Sequence, residues 1–425
     1  MAAQVCIFED DWFSRFLPLA YFRPVYNLRM GMTPLRQKIL REYPGAKLSL
    51  HCRTYLADYM RLRNPNVLVN EITEDACLFI NGRVVGDDQL ARRIPLKQKS
   101  DVVYVSDNQV LAAYVSGQNL RRIKKQLHQL IGPETFDQIP KAGTNVEYVS
   151  YPWDLVSRNG AELVKDFEYA RSIRKGKKKL RKARDFKGAH FLHEKNIVVE
   201  DGAMVAPGVV LDAEEGPIYI GANARVMPQS TIIGPVAIGE NSWIKVGAQI
   251  YENTSIGPIC KVGGEVEGSI IHGYSNKQHA GFLGHSYIGA WVNLGAGTNN
   301  SDLKNNYGTV KVSMGNEQID TGLQFAGLTM GDHSKSAINS MFNTGTVVGV
   351  CCNIFGAGFP PKYVPSFSWG AAGETFTSYN IDKAVDVARR VMARRKIQLS
   401  PVEEKLFKKI FDLTSDERRR RGMPS

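Results

Sequence analysis

From Ile220 onward every sixth residue is a branched aliphatic: Ile220, Val226, Ile232, Ile238, Ile244, Ile250, Ile256 and Val262. Helices repeat at 3.6 residues and strands at 2, so neither produces this period. A six-residue repeat is the mark of a parallel β-helix. Each unit is a short strand and a turn, and three units close one triangular coil with the aliphatic side chain pointing inward. One coil cannot bury its core alone, so neighbours must stack. The period resumes at Phe282, Ile288 and Leu294, then at Met330, Ser336, Phe342, Val348 and Ile354. Residues 191–375 are therefore expected to form a left-handed parallel β-helix. The segment 299–327 breaks the period and is expected to leave the prism as a loop, the kind of excursion that tends to be functional.

The rest of the chain reads differently. Residues 1–170 alternate strand-like runs ("QVCIF", "CLFING", "DVVYV") with helical ones ("TPLRQKILREY", "NLRRIKKQLHQL"), the pattern of an α/β layer domain. A basic linker at 171–190 follows. Its core, 171–187, carries ten Lys or Arg against one Asp and accounts for much of the formal charge of +12. Phe186 is the one aromatic residue there, too few to stack on successive bases, so a solvated linker is expected rather than a nucleic-acid interface. Residues 376–425 form a helical tail. Ser400, Pro401 and Glu403 supply a helix start with a capping box, and the tail helices are expected to pack on the prism. The six cysteines are scattered, which suits reduced thiols in a cytoplasmic protein. The first residues lack the pattern of a signal peptide, and no run of about 18 apolar residues suggests a membrane span.

Two histidines, His279 and His285, stand six residues apart in "NKQHAGFLGHSYIGAWVNLGAGTNN". This stretch resembles the acetyltransferase domain of the bifunctional N-acetylglucosamine-1-phosphate uridyltransferase/glucosamine-1-phosphate acetyltransferases, without a gap over about twenty residues. The resemblance places that family's general base on His279 and its sugar- or CoA-contacting residues on Asn293 and Ala296. His285 falls where the family usually has Asp, and is given no role as base. Phe282 replaces a Tyr, and Asp302-Leu303 replace an Asn-Tyr pair. Lys277, Lys304, Asn306 and Tyr307 are the remaining candidates for substrate and its phosphate. The chemistry is coherent, because imidazole can take a proton from an amine near neutral pH, and Gly-Ala-Gly backbone N–H groups can approach a thioester oxygen closely.

The N-terminal part lacks the Gly-rich phosphate loop of ordinary sugar nucleotidyltransferases. Through "FED", "RPVYNLRMG", "FING" and "YPWDLV" it resembles a divergent branch of them fused to hexapeptide acetyltransferases. Arg23, Arg29 and Lys38 are candidate phosphate ligands, because guanidinium binds phosphate bidentately and Lys as a point charge. Asn81 and Gly82 end a strand where ordinary members place an Asp that holds Mg²⁺. Asp10, Asp11 and Asp154 are the alternative carboxylates, with Asp154 taken as the metal residue.

The resemblance implies a bifunctional transferase making UDP-N-acetylglucosamine from acetyl-CoA, glucosamine-1-phosphate, UTP and Mg²⁺, assembled as a homotrimer through the prism. Two other readings stand beside it. One is a pyrophosphorylase for a different nucleotide sugar with a regulatory prism. The other is a non-catalytic subunit that binds nucleotide sugar.

Overall fold

The computed structural model describes residues 4–173, 181–315, 317–374 and 376–423, so the centre of the basic linker lies outside the described residues. The chain forms two compact units. One holds Met1–Leu28, Thr33–Tyr151 and Ser400–Lys409, and the other holds Arg29–Met32, Pro152–Leu399 and Ile410–Ser425.

The first unit is built on a seven-stranded sheet. Its strands run Leu68–Val69, Lys47–Leu50, Gln4–Phe8, Ala76–Asn81, Gln109–Ser116, Val102–Ser106 and Lys141–Gly143 across the sheet. The first four are parallel, and Gln109–Ser116 is antiparallel to both of its neighbours. Gln4–Phe8 is buried throughout, as a central parallel strand covered on both faces must be. Cys6, Phe8, Cys77, Phe79 and Phe136 form part of one core beneath the sheet. The α/β expectation holds.

The second unit is a three-faced parallel β-helix. Strands stack in register from coil to coil, as in Val205, Val226, Ile244 and Val262 on one face. All eight residues of the six-residue series are at most 2% exposed and share one core. The resumed series holds at Ile288, Leu294, Met330, Phe342, Val348 and Ile354, but Phe282 departs from it. Leu283 points inward beneath it, paired with Val266, and Phe282 is left half-exposed. The coils here are shorter than three hexapeptides, so a frame counted in sixes slips by one residue. Ser336 does point inward, and its hydroxyl is satisfied by Thr298 Oγ1 at 2.9 Å and the N–H of Gly295. The irregular segment contains a hairpin, Lys311–Met314 with Glu317–Asp320. This arm does not simply leave the prism, because Val310 and Val312 are buried against Gly345.

Two boundaries differ from expectation. The helix Asn159–Ile173 belongs with the prism rather than with the α/β unit. The reason is Asn159, whose Oδ1 accepts from Gly31 N–H (2.7 Å) and the Ser255 hydroxyl (3.0 Å) while its amide donates to Asn253 O (2.7 Å). The tail is also divided. Helix Ile381–Ala393 packs Met392 against Trp291 and Ala290 of the prism. Ser400–Lys409 instead joins the first unit, where Phe407 meets Phe22 (4.7 Å between centroids) and Glu403 pairs with Arg63. The capping box is present: Ser400 N–H and hydroxyl donate to Glu403 Oε2, and Glu403 N–H donates to Ser400 Oγ.

Candidate functional site

The corner after the strand Asn276–Lys277 carries His279, which is exposed. One coil on, Asn293 sits over Asn276, and the following turn places Ala296 next to Ala280, with the Gly297 N–H donating to Ala280 O (3.0 Å). Three of the expected residues therefore occupy two adjacent coils, His279 and Ala296 at one corner and Asn293 on the face leading to it. The Asn276 amide donates to Asn293 Oδ1 at 3.4 Å, and Arg395 donates to Asn276 Oδ1 at 3.0 Å.

Lys277 does something else. It takes the inward position paired with Val262 and is 3% exposed. Its ammonium donates to the carbonyls of Gly263 (2.8 Å), His279 (3.2 Å) and Gly281 (2.6 Å). All three N–H groups are thus spent on backbone, and burial pulls its pKa down to about 8. Lys277 staples the His279 corner and has no donor left for a phosphate. Lys304, Asn306 and Tyr307 lie on the arm. Lys304 donates to Thr309 O, Asn306 Oδ1 accepts from Gly308 N–H, and Tyr307 is 68% exposed. Their interactions are local to the arm.

The asparagines of "GTNN" have a structural duty. Asn299 Oδ1 accepts from Phe282 N–H (2.7 Å), and Asn300 bonds both backbone groups of Gly284. Their side chains replace a missing rung of the ladder, and so fix Phe282–Gly284 beside the histidines. The structure also pairs His285 with Asp302, Nδ1 to Oδ2 at 2.8 Å. Sequence reasoning gave that histidine no role. The signal was present, since the two residues are 17 apart, close to one coil.

Of the expected phosphate ligands, Arg23 and Lys38 belong to the first unit. Arg23 is 8% exposed and donates to Leu19 O, and Lys38 is 1% exposed. Arg29 belongs to the other unit, where its N–H donates to the Tyr287 hydroxyl, that hydroxyl donates to Arg29 O, and its guanidinium turns to Met32 O. Arg23 and Lys38 are thus buried, and Arg29 is half-buried. Gly82 is a packing glycine, since a Cβ there would lie 2.7 Å from the Tyr26 ring.

Mg²⁺ does not fit the strand ends. Asp10 follows the first strand, and Arg83 grips its carboxylate through Nε and Nη2 (2.7 Å) while Asn81 Nδ2 donates to it at 2.8 Å. Glu9 is taken by Arg53 in the same way, Nε to Oε2 at 2.9 Å and Nη2 to Oε1 at 3.1 Å. Asn81 uses its remaining groups on Val110 O and Arg83 N–H. Asp154 lies in the other unit. Among the described residues no three His, Cys, Asp or Glu side chains are grouped to hold a metal ion. Beside the locked acids stands a half-buried platform. Arg15 lies 3.5 Å over the Trp12 ring and donates to the Tyr151 hydroxyl, and Arg83 lies 4.9 Å from the same ring. In parallel α/β sheets, ligands bind at such strand ends.

Residues 5–175 match the family model described as sugar nucleotidyl transferase. The match includes the helices that the structure packs with the prism. The chain is also similar to curated bifunctional transferases. It is 25% identical to the bifunctional protein GlmU of Acaryochloris marina over 45% of this chain and 34% of that protein. It is 32% identical to GlmU of Streptococcus uberis over 31% and 28%. A bifunctional sugar-1-phosphate nucleotidylyltransferase/acetyltransferase of Sulfurisphaera tokodaii is 30% identical over 28% of each chain. The chain thus spans about a third of the length of the relatives it matches. A solved UDP-N-acetylglucosamine acyltransferase of Francisella novicida aligns with 55% of this chain and 86% of its own at 15% identity and a TM-score of 0.26. No helix among the described residues is long and apolar enough to cross a membrane.

Proposed function

We propose that this chain is a bifunctional nucleotide-sugar enzyme. Its prism transfers the acetyl group of acetyl-CoA to the amine of glucosamine-1-phosphate. Its first unit joins the sugar-1-phosphate to uridylyl from UTP with release of pyrophosphate, giving UDP-N-acetylglucosamine. The observation that carries the reading is the meeting of His279, Asn293 and Ala296 on adjacent coils of a β-helix, in a chain that also bears a sugar nucleotidyl transferase domain.

In the prism His279 takes the proton released as nitrogen attacks the thioester carbonyl, and then returns it to the departing thiolate. Asn293 and Ala296 line the corner where the acyl group and the amine meet. An exposed corner gains a second wall in a homotrimer, as the relatives' fold suggests, and the work belongs to the cytoplasm. In the first unit Arg15 and the rings of Trp12 and Tyr151 hold the nucleotide, with no step assigned to Mg²⁺. A second reading has its own support. Both strand-end carboxylates are already neutralised by internal arginines, which suits a unit that binds a nucleotide sugar without transforming it.

The test is to supply acetyl-CoA, glucosamine-1-phosphate and UTP and to assay free thiol and pyrophosphate separately. Thiol release should fall about 10²–10⁴-fold in His279→Ala. Full thiol release in that variant removes His279 from the mechanism. Thiol without pyrophosphate selects the binding-unit reading.

A further inference from the structure

The first unit holds a cavity of about 720 Å³ that none of the roles above uses. All of its walls belong to that unit, and its size is that of a small-molecule site. It lies past the carboxyl ends of the two strands at one edge of the sheet, Lys47–Leu50 and Leu68–Val69, which lead into Thr54, Tyr55 and Asn70 of its lining. In open α/β sheets ligands bind outside such ends. Another wall is the start of the helix Pro401–Leu413. Val402, Lys405, Leu406 and Lys409 recur there at helical spacing and share one face. The same turns are anchored by Phe407 against Phe22 and by Glu403 on Arg63. The polar groups of the lining are of two kinds. Most are spent inside the protein. The Thr54 hydroxyl donates to His128 O (2.8 Å), and the Asn70 side chain bonds both backbone groups of Cys52. The Tyr55 hydroxyl accepts from Arg53 Nη1 (2.7 Å) and donates to Tyr21 O (3.1 Å). Asp58 pairs with Arg61 at 2.9 Å. Lys405 and Lys409 differ. Both are exposed, and among the described residues neither ammonium has a hydrogen bond or an ion pair.

The unspent polar capacity is therefore positive. Two residues four apart on a helix have Cβ atoms about 5–6 Å apart, and a like-charged pair at that spacing disfavours the helix. An anion between the two ammonium groups removes that repulsion. His128 adds an exposed imidazole to the same lining. Tyr55 and Tyr59 are half-buried in it, and their rings offer a planar group a surface to stack on. Ala57, Leu127 and Leu406 supply buried apolar contact. A purely apolar ligand would leave the lysines uncompensated. Phosphate alone would leave the rings and aliphatic side chains uncovered. We propose that this cavity binds a nucleoside diphosphate, with its phosphates on Lys405 and Lys409 and its base against Tyr55 and Tyr59. The site shares no residue with the platform of Trp12, Arg15 and Tyr151. Both lysines come from the tail segment, so a bound ligand also strengthens the docking of Ser400–Lys409 on the rest of its unit.

The experiment titrates the full chain with UDP, ADP and inorganic pyrophosphate by calorimetry. The proteins are wild type, Lys405→Glu with Lys409→Glu, Lys405→Arg with Lys409→Arg, Tyr59→Leu and Trp12→Ala. The charge reversal should weaken one nucleotide site by about tenfold or more, and the arginine pair should keep it. Tyr59→Leu should weaken the nucleotides and leave pyrophosphate unchanged. Trp12→Ala removes the strand-end platform, so the site proposed here must survive it. Tighter UDP marks the nucleotide of the uridylyl transfer as the occupant and tighter ADP an adenine nucleotide, and either result supports the site. The inference falls if the charge reversal leaves all binding intact, if Trp12→Ala abolishes all of it, or if pyrophosphate binds as tightly as both nucleotides. A second measurement needs no variant. In the wild type the tighter of the two nucleotides should slow amide hydrogen exchange over Val402–Lys409, and unchanged exchange there overturns the site even if the reversed variant does not fold. Neither measurement reads catalysis, so a chain that releases no thiol and no pyrophosphate defeats the enzymatic reading and leaves this one standing.

Discussion

Lys277 holds a position that Val205, Val226, Ile244 and Val262 hold in the coils below it. A cation replaces an aliphatic there because the next corner turns three carbonyls toward the axis. Replacing it with Met would leave those carbonyls without a donor, at a cost of about 1–3 kcal/mol. Chemical denaturation should report that loss. The pH dependence has a definite sign. The folded ammonium titrates near 8 against about 10.5 when unfolded, so between these values the unfolded chain binds the extra proton. The contribution of Lys277 to stability therefore rises from pH 8 to about 10.5, and this slope should vanish from unfolding curves of Lys277→Met. From sequence alone Lys277 reads as a surface cation near a sugar phosphate. Only the coil register shows that it points inward. His279, Asn293 and Ala296 were legible because their motif is contiguous. Asp302 was not paired with His285, because the partnership runs from coil to coil and not along the chain.

At the scale of elements, the strand Phe282–Gly284 shows how a solenoid combines regular and special parts. Its inward Leu283 follows the core, while its ends are set by the side chains of Asn299 and Asn300. Gly284→Ala should drive a methyl group into Asp302 and the Phe282 ring. We expect the His285–Asp302 bond to break, with about 1–3 kcal/mol lost to overpacking, read by melting temperature together with thiol release. Ile244→Ala makes a useful contrast. Ile244 is fully buried in the middle of the prism, so about 2–5 kcal/mol should be lost with no change in the pH profile of what remains active. The hexapeptide period made this core readable in advance. It failed at Phe282 because shortened coils shift the frame, and it was silent on Asn159–Ile173, which the buried side chains of Asn159 and Asp166 tie into the prism unit.

At the scale of the whole molecule, the α/β unit contains an acid-sensitive group. His51 is buried, its Nδ1 accepts from Glu9 N–H, and its Nε2 lies 2.8 Å from Gln129 O. Burial pulls its pKa down to about 4. The unfolded histidine titrates near 6.5, so stability should fall as pH drops from about 6.5 toward 4, by about 3 kcal/mol at most. Acid unfolding of His51→Gln should lack this phase. All six cysteines are free and buried, and burial pushes the thiols of Cys6 and Cys260 up to about 12. Ellman's reagent should therefore titrate no thiol in the native protein and six after denaturation.

The excursion between Asp302 and Phe325 has a further consequence. Each turn of the prism touches only the turns above and below it, so lengthening the chain at a corner leaves distant coils undisturbed. Such an architecture can lengthen, shorten or redecorate a projecting hairpin while the axial column stays the same. Changes in what the molecule recognises are then free to accumulate at one vertex without each being tested against the stability of the whole.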